Sequence, residues 1–152
     1  AHLPSRRGGE QHSRPFRRVV AEKICAIADS VRAVSADAKI IVAGDFNDYT
    51  TSESVRMVCA SGFTDVSAKA VGQNGARATY KYRGEWRSLD HILVSTSMMS
   101  AVRSCRVHDA RFLLVEDEKY GGVQPRRNFL GPRWRDGFSD HLPLVAEFAL
   151  DE

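Results

Sequence analysis

Along the first third of the chain, apolar residues recur at the spacing of one helical face. In "PFRRVVAEKICAIADSVRAV" the stripe is Phe16, Val19, Val20, Ile24, Ile27, Val31 and Val34, and the opposite side carries Arg17, Arg18, Glu22, Lys23, Asp29 and Arg32. The pattern predicts a surface helix that starts at Ser13 or Arg14. Pro15 is tolerated in its first turn because its missing N–H has no helical partner there. "SADA" then turns the chain into the apolar strand Lys39–Ala43, which does not alternate and so reads as buried on both faces. Thr50 and Glu53 have capping-box spacing and predict a second helix ending before Gly62.

After Gly62 the helical period gives way to strand patterns. "FTDVSA" reads as a first strand, and "ATYKYRG" and "RSLDHILVS" flank the short "RGEW" connection as a hairpin. "AVRSCRVHDARFL" and "LPLVAEFAL" supply two more. Between them lies "VEDEKYGGVQPRRNFLGPRWRDGF", polar and aromatic with no period. A segment of this length inside a compact domain is usually functional or disordered. Tyr120, Phe129, Trp134 and Phe138 predict an ordered loop packed on the body. No repeat, low-complexity tract or second domain interrupts the chain.

At 152 residues, 43% of them hydrophobic, the chain suits one domain with a sizeable core. The net charge of +3 is too small to indicate nucleic-acid binding by itself. Seventeen of its 22 cations are Arg, a bias that suits planar contacts to carboxylate or phosphate and equally suits a solvated surface. Cys25, Cys59 and Cys105 lack metal-ligand spacing and read as small buried hydrophobes. No apolar stretch approaches the length of a membrane span, so no transmembrane segment is expected. The opening "AHLPSRRGGE" reads as a strand end entering a loop. With neither Met nor a signal-like segment before it, the chain is expected to be a piece of something longer.

Three strands carry an acid at one tip. In "IIVAGDFND" the strand delivers Asp45 and, two residues on, Asn47. A carboxylate just past a strand is rigidly held yet open to substrate, so it suits orienting a nucleophile or a metal-linked water. The same pair also suits a turn bonded to local backbone. "SLDHILVS" brings Asp90 and His91, and "FSDHLPLVAEF" brings Asp140 and His141, with Pro143 fixing the exit of the loop. On an alternating strand His91 should face away from Asp90. His12 and His108 read as surface residues.

"GDFN", "LDHI" and "SDHLP", in that order, closely resemble the motifs of the endonuclease/exonuclease/phosphatase family of deoxyribonuclease-like phosphoesterases. The opening "HLPS" is similar to the segment that holds a phosphate-contacting His in many members. The resemblance covers nearly the whole chain, residues 1–152, as the C-terminal portion of a single domain of that family. It implies an α/β (α+β) fold, half of a four-layer α/β/β/α sandwich with a mostly antiparallel mixed sheet and flanking helices. The implied function is divalent-metal-dependent phosphoester hydrolysis, as a phosphodiesterase, nuclease or phosphatase, with water attacking in line at phosphorus. The implied catalytic set is His2, Asp45, Asn47, Asp90 and His141. Asp45 would orient and help deprotonate the water, and Asn47 would bond the nucleophile or a phosphoryl oxygen. Asp140 would ligate Mg²⁺ or Mn²⁺, His141 would be polarised by Asp90, and His2 would contact the phosphate from the other side.

Arg126, Arg127, Arg133 and Arg135, interleaved with Phe129 and Trp134, form the best basic patch. Arg126, Arg127 and Trp134 are its substrate-binding candidates. An N-terminal half would normally add an Asn and a metal-binding Glu that nothing here matches, so the chain alone is expected to show little activity. Its expected partners are a phosphoester substrate (small molecule, lipid headgroup or nucleic acid), that missing half, and a second copy of itself through an apolar sheet face left open. The competing reading is a non-catalytic interaction module that uses the Arg and aromatic loop 120–138.

Overall fold

A computed structural model describes residues 1–149. The chain forms an α+β fold in which helices and small antiparallel sheets share three adjoining apolar clusters. Among the described residues no helix is long and apolar enough to cross a membrane.

Helix α1 spans Glu10–Val34, starting before the expected Ser13. Pro15 is therefore interior, where it withholds one backbone N–H. The turn before it is held by side chains instead: Ser13 Oγ donates to the Gly9 carbonyl, and Arg17 donates to both Ser13 and Glu10. The buried face also differs from the predicted stripe. Ser13, Arg17, Ala21 and Ala28 are buried, whereas Phe16, Val19, Ile27, Val31 and Val34 are exposed. Ala21 and Ala28 are small enough to sit against the body of the protein, in one cluster with Val55, Val58, Phe63 and Leu93. Of the predicted stripe, Val20 and Ile24 do pack against this cluster.

Arg17 is fully buried and its charge is answered locally. Its Nε lies 2.9 Å from Asp48 Oδ2, a contact of charge rather than an aligned hydrogen bond. Arg6 reaches the other oxygen of Asp48 at 3.0 Å, and Ser54 Oγ donates to Oδ2 at 2.6 Å.

β1 spans Ile41–Asp45, α2 Glu53–Ala60, β2 Phe63–Asp65 and β5 Asp90–Ser95; the strands form one antiparallel sheet in the order β1-β5-β2. The strand expected at Lys39–Ala43 to be buried on both faces is not so buried; the strand that is, from His91 to Ser95, is β5. β1 lies toward the edge, with Ile41 46% exposed, because its outer side meets only the opening segment of the chain. Ser52, not Thr50, precedes α2. Thr50 Oγ1 donates instead to Asp65.

The hairpin also differs from expectation. β3 (Tyr80–Tyr82) pairs with β4 (Glu85–Arg87), and β5 belongs to the main sheet. Arg83 and Gly84 both have positive φ, the signature of a two-residue primed turn. β6 (Val102–Val107) pairs with β11 (Leu144–Phe148), and this ribbon shares a cluster with Ile92 and Val94 of β5. The last residue of the predicted terminal strand segment, Leu150, lies outside the described residues.

The long polar segment folds into two small hairpins, β7 (Leu114–Glu116) with β8 (Val123–Pro125) and β9 (Phe129–Leu130) with β10 (Arg133–Trp134). Its order comes from a buried ion pair. Lys81 Nζ meets Asp117 Oδ2 at 2.8 Å and donates to the Gly121 and Val123 carbonyls. Tyr120, Phe129, Trp134 and Phe138 are about half exposed, so they do not pack the segment onto the body as expected.

Candidate active site

The register of β1 against β5 places Asp45 directly opposite Asp90. β1 runs out at the end where β5 begins, so antiparallel pairing brings both acid tips to one rim. The bridge between Tyr80 and His141 adds the third group. One ligand atom each of Asp45, Asp90 and His141 lies within 4.8 Å of the others.

Each side chain is held by an identifiable contact. Gly44, at φ 147°, lets the opening segment lie alongside β1, since a Cβ there would sit 1.7 Å from the Ala1 carbonyl oxygen. Leu3 N donates to the Asp45 carbonyl and Leu3 is buried. Phe46, fully buried, packs edge-on to the His91 ring and pins the tip to the core. Asn47 has φ 50°, a conformation that Asn tolerates. Its N–H donates to Asp45 Oδ1 at 2.7 Å, and its side-chain amide donates to Asp45 Oδ2 at 3.2 Å and the Leu3 carbonyl at 2.9 Å. The local turn and the functional tip are therefore one structure.

Asp90 accepts a short hydrogen bond from Thr79 Oγ1 and pairs with His141 Nδ1 at 2.7 Å. Thr79 also fixes the loop that bears His141, because its carbonyl accepts from Leu142 N at 2.8 Å. The Tyr80 ring lies 4.8 Å from that of His141. Thr79 had no sequence signal, since nothing in "ATYKY" separates a strand residue from a carboxylate partner.

Burial raises the pKa of Asp45 above the ordinary carboxylate value. The Asn47 N–H opposes this, the facing Asp90 adds to it, and His141 and His2 oppose it. His141 is also raised: burial works against the imidazolium, but the hydrogen bond and charge of Asp90, with Asp45 and Asp140 behind, outweigh it. A carboxylate made more basic beside an imidazole whose protonated form is favoured has the chemistry of an acid–base pair.

His2 is largely exposed, its Nε2 3.6 Å from Asp45 Oδ2. Asp140 is exposed and lies outside the Asp45–Asp90–His141 cluster, contributing only its charge to His141. Arg127 stacks over Tyr80 at 5.5 Å and donates to the Lys81 carbonyl. Arg126 lies over Phe138, and Trp134 packs on Phe129 away from the cluster. His91 faces away from Asp90, buried between Asp65 Oδ2 at 2.7 Å and the Asp48 carbonyl at 2.9 Å.

Comparison with known proteins gives this arrangement its context. No curated protein matches the sequence. Among solved structures, the chain is similar to an endonuclease/exonuclease/phosphatase family protein from Bacteroides thetaiotaomicron, with a TM-score of 0.58 at 20% identity over 91% of this chain and 45% of that one. A mannosyl-6-phosphatase from the same species gives 0.59 at 19% identity, covering 98% of this chain and 49% of that one. The 3' phosphatase NExo from Neisseria, bound to a product DNA hairpin, gives 0.51 at 18% identity over 92% and 54%. At such identities these likenesses establish the fold, and the chain spans about half the length of each. The sequence pattern described as the Endonuclease/Exonuclease/phosphatase family matches residues 1–149, and the chain belongs to that family.

Proposed function

We propose that the chain is the C-terminal portion of a divalent-metal-dependent phosphoester hydrolase domain. The observation that carries this reading is the opposed pair Asp45 and Asp90 with His141 bonded to Asp90. Family membership supports the reaction class, and the coverage of about half of each similar structure supports a complementary half.

Asp45 takes the proton of the attacking water and orients it, helped by the raised basicity that burial confers. Asn47 fixes both oxygens of Asp45 so that one lone pair stays aimed at the water. His141, whose protonated form Asp90 favours, donates to a phosphoryl oxygen as negative charge builds there. His2 approaches from the far side of Asp45. Arg127 reaches toward this centre through Tyr80.

The oxygen-rich donors fit a hard cation such as Mg²⁺ or Mn²⁺. Asp140, exposed beside His141, is the ligand proposed from this chain, with a Glu from the complementary half completing the shell. Such a cation supplies Lewis-acid offset of phosphoryl charge.

The test is Mg²⁺- or Mn²⁺-dependent hydrolysis of a generic phosphomonoester and phosphodiester by the longest form of the protein that contains residues 1–152. Asp45→Asn and His141→Gln should each lower kcat by about 100-fold or more. Wild-type turnover in either variant would reject the assignment.

A further inference from the structure

We propose that a basic cavity beside the candidate active site is a subsite for a second phosphate-type group carried by a compact substrate. This rests on the phosphoester reading above. The cavity has a volume of about 690 Å³ and contains none of Asp45, Asp90 or His141. It opens among the β3–β4 hairpin, the β7–β8 hairpin and the segment around Leu130 and Arg135. Its link to the cluster is short: the guanidinium of Arg127, a wall residue, lies over the Tyr80 ring, and Tyr80 lies at a tilt against the His141 ring, 4.8 Å away.

The charges in the wall are unbalanced. Arg83, Lys119, Arg126, Arg127 and Arg135 converge there, and none pairs with a carboxylate among the described residues. Lys81 is different, since Asp117 neutralises it. Only Glu116 and Glu118 oppose the rest. Arg126 and Arg127 are half-buried and Arg83, Lys119 and Arg135 are exposed; cations lining one concave site focus positive potential, and an anionic ligand relieves their repulsion. The Nε of Arg127 is buried without a partner.

The hairpins are built to bring these charges together. Gly84 (φ 83°) leaves room for Tyr120, whose Cβ would lie 2.9 Å from an added Cβ. Arg83 and Lys119 stack on the flanking Tyr82 and Tyr120. The volume matches a small ligand, since such pockets run to roughly 300–1,000 Å³. Sequence order hid the site: Arg133, grouped with the basic patch, is absent from the wall, while Arg83 and Lys119 arrive from other hairpins.

The experiment titrates inorganic pyrophosphate into the ¹⁵N-labelled chain at low salt, with EDTA present, and follows backbone amides. Saturable shifts are expected at residues 82–84 and 117–121. The Lys119→Gln/Arg135→Gln variant should bind about tenfold or more weakly with an unchanged melting temperature, and Asp45→Asn should bind as wild type does. Shifts centred on Asn47 and His141, or a double variant binding within about twofold of wild type, would overturn the subsite. Because binding here needs no turnover, failure of the hydrolase assignment leaves this result standing, and the reverse also holds.

Discussion

Replacing Arg17 with Met tests whether the tip of β1 rests on a buried charge network. Arg17 is fully buried, and its Nε is 2.9 Å from Asp48 Oδ2. At an effective dielectric of about 20 that separation corresponds to a gross attraction of about 6 kcal/mol. Most of this offsets desolvation of the two groups, and Met fills the volume of the lost stem. What remains is the cost of stranding Asp48, about 3–5 kcal/mol for a broken buried pair. Arg6 and Ser54 still hold Asp48, which favours the lower figure. For a domain of this size about 3 kcal/mol lowers Tm by roughly 6–12 °C. Urea unfolding should show a lower midpoint with an unchanged m value. Adding Asp48→Asn to Arg17→Met should restore about 1 kcal/mol or more, because it removes the stranded charge. A Tm loss under about 3 °C, or a double variant no more stable than the single one, would refute the reasoning.

Three other outcomes are expected. Gly44→Ala drives a Cβ into the Ala1 carbonyl and should detach residues 1–3, seen as lost hydrogen-exchange protection at Leu3 and about 3 kcal/mol of destabilisation. Thr79→Val should reduce kcat about tenfold while Thr79→Ser retains it, because only the hydroxyl contact to Asp90 is removed. The buried His91–Asp65 pair should make stability depend on pH. Burial, the largest single effect, works against the His91 imidazolium, but the hydrogen bond and charge of Asp65, with the Asp48 carbonyl and Asp90 behind them, together raise it above 6.5, so its contribution is full below 6.5 and is lost as pH rises through the folded value. Asp65 is lowered from 3.8, burial being outweighed by His91 and Ser67, so its contribution is full above 3.8 and is lost as pH falls through the folded value. Tm should therefore peak between these two ordinary values, and His91→Asn should flatten the alkaline decline; an unchanged decline would assign it to another group.

The sequence made the site more legible than the fold around it, for physical reasons. Asp45, Asn47, Asp90 and His141 sit where strands begin or end, and chemistry constrains both their types and their order. Register then made their meeting inevitable, since an antiparallel pair joined at Asp45 and Asp90 has both tips at one end. The stripe on α1 was misread because burial there selects small residues and one neutralised arginine, not bulk. "RGEW" reads as a mere connection and "RSLDHILVS" as one strand because β4 and β5 are separated by only Ser88 and Leu89, and alternation shows no break between them. The β7–β8 hairpin is tied to β3 by Lys81 and Asp117, residues 36 positions apart whose pairing leaves no local pattern.

The two sides of the active rim are held by different kinds of force. Asp45 and Asp90 are set by a strand ladder over a core that includes Phe46 and Leu93, so moving them requires unfolding the sheet. His141 lies in a loop tied down by Leu142, whose side chain is buried and whose N–H meets Thr79, and by its own bond to Asp90. Thr79 is the common element, since its hydroxyl serves the carboxylate and its carbonyl serves the loop. The segment that follows it, Tyr80 and Lys81, then leads through Arg127 and Asp117 to the wall of the basic cavity. The short strand β3 thus joins the Asp45–Asp90–His141 cluster to the hairpins that line the cavity. On the proposed reading, a substrate group seated in that cavity would press on the same strand that positions His141, so that recognition of the distal group and alignment of the reacting group would be coupled through β3.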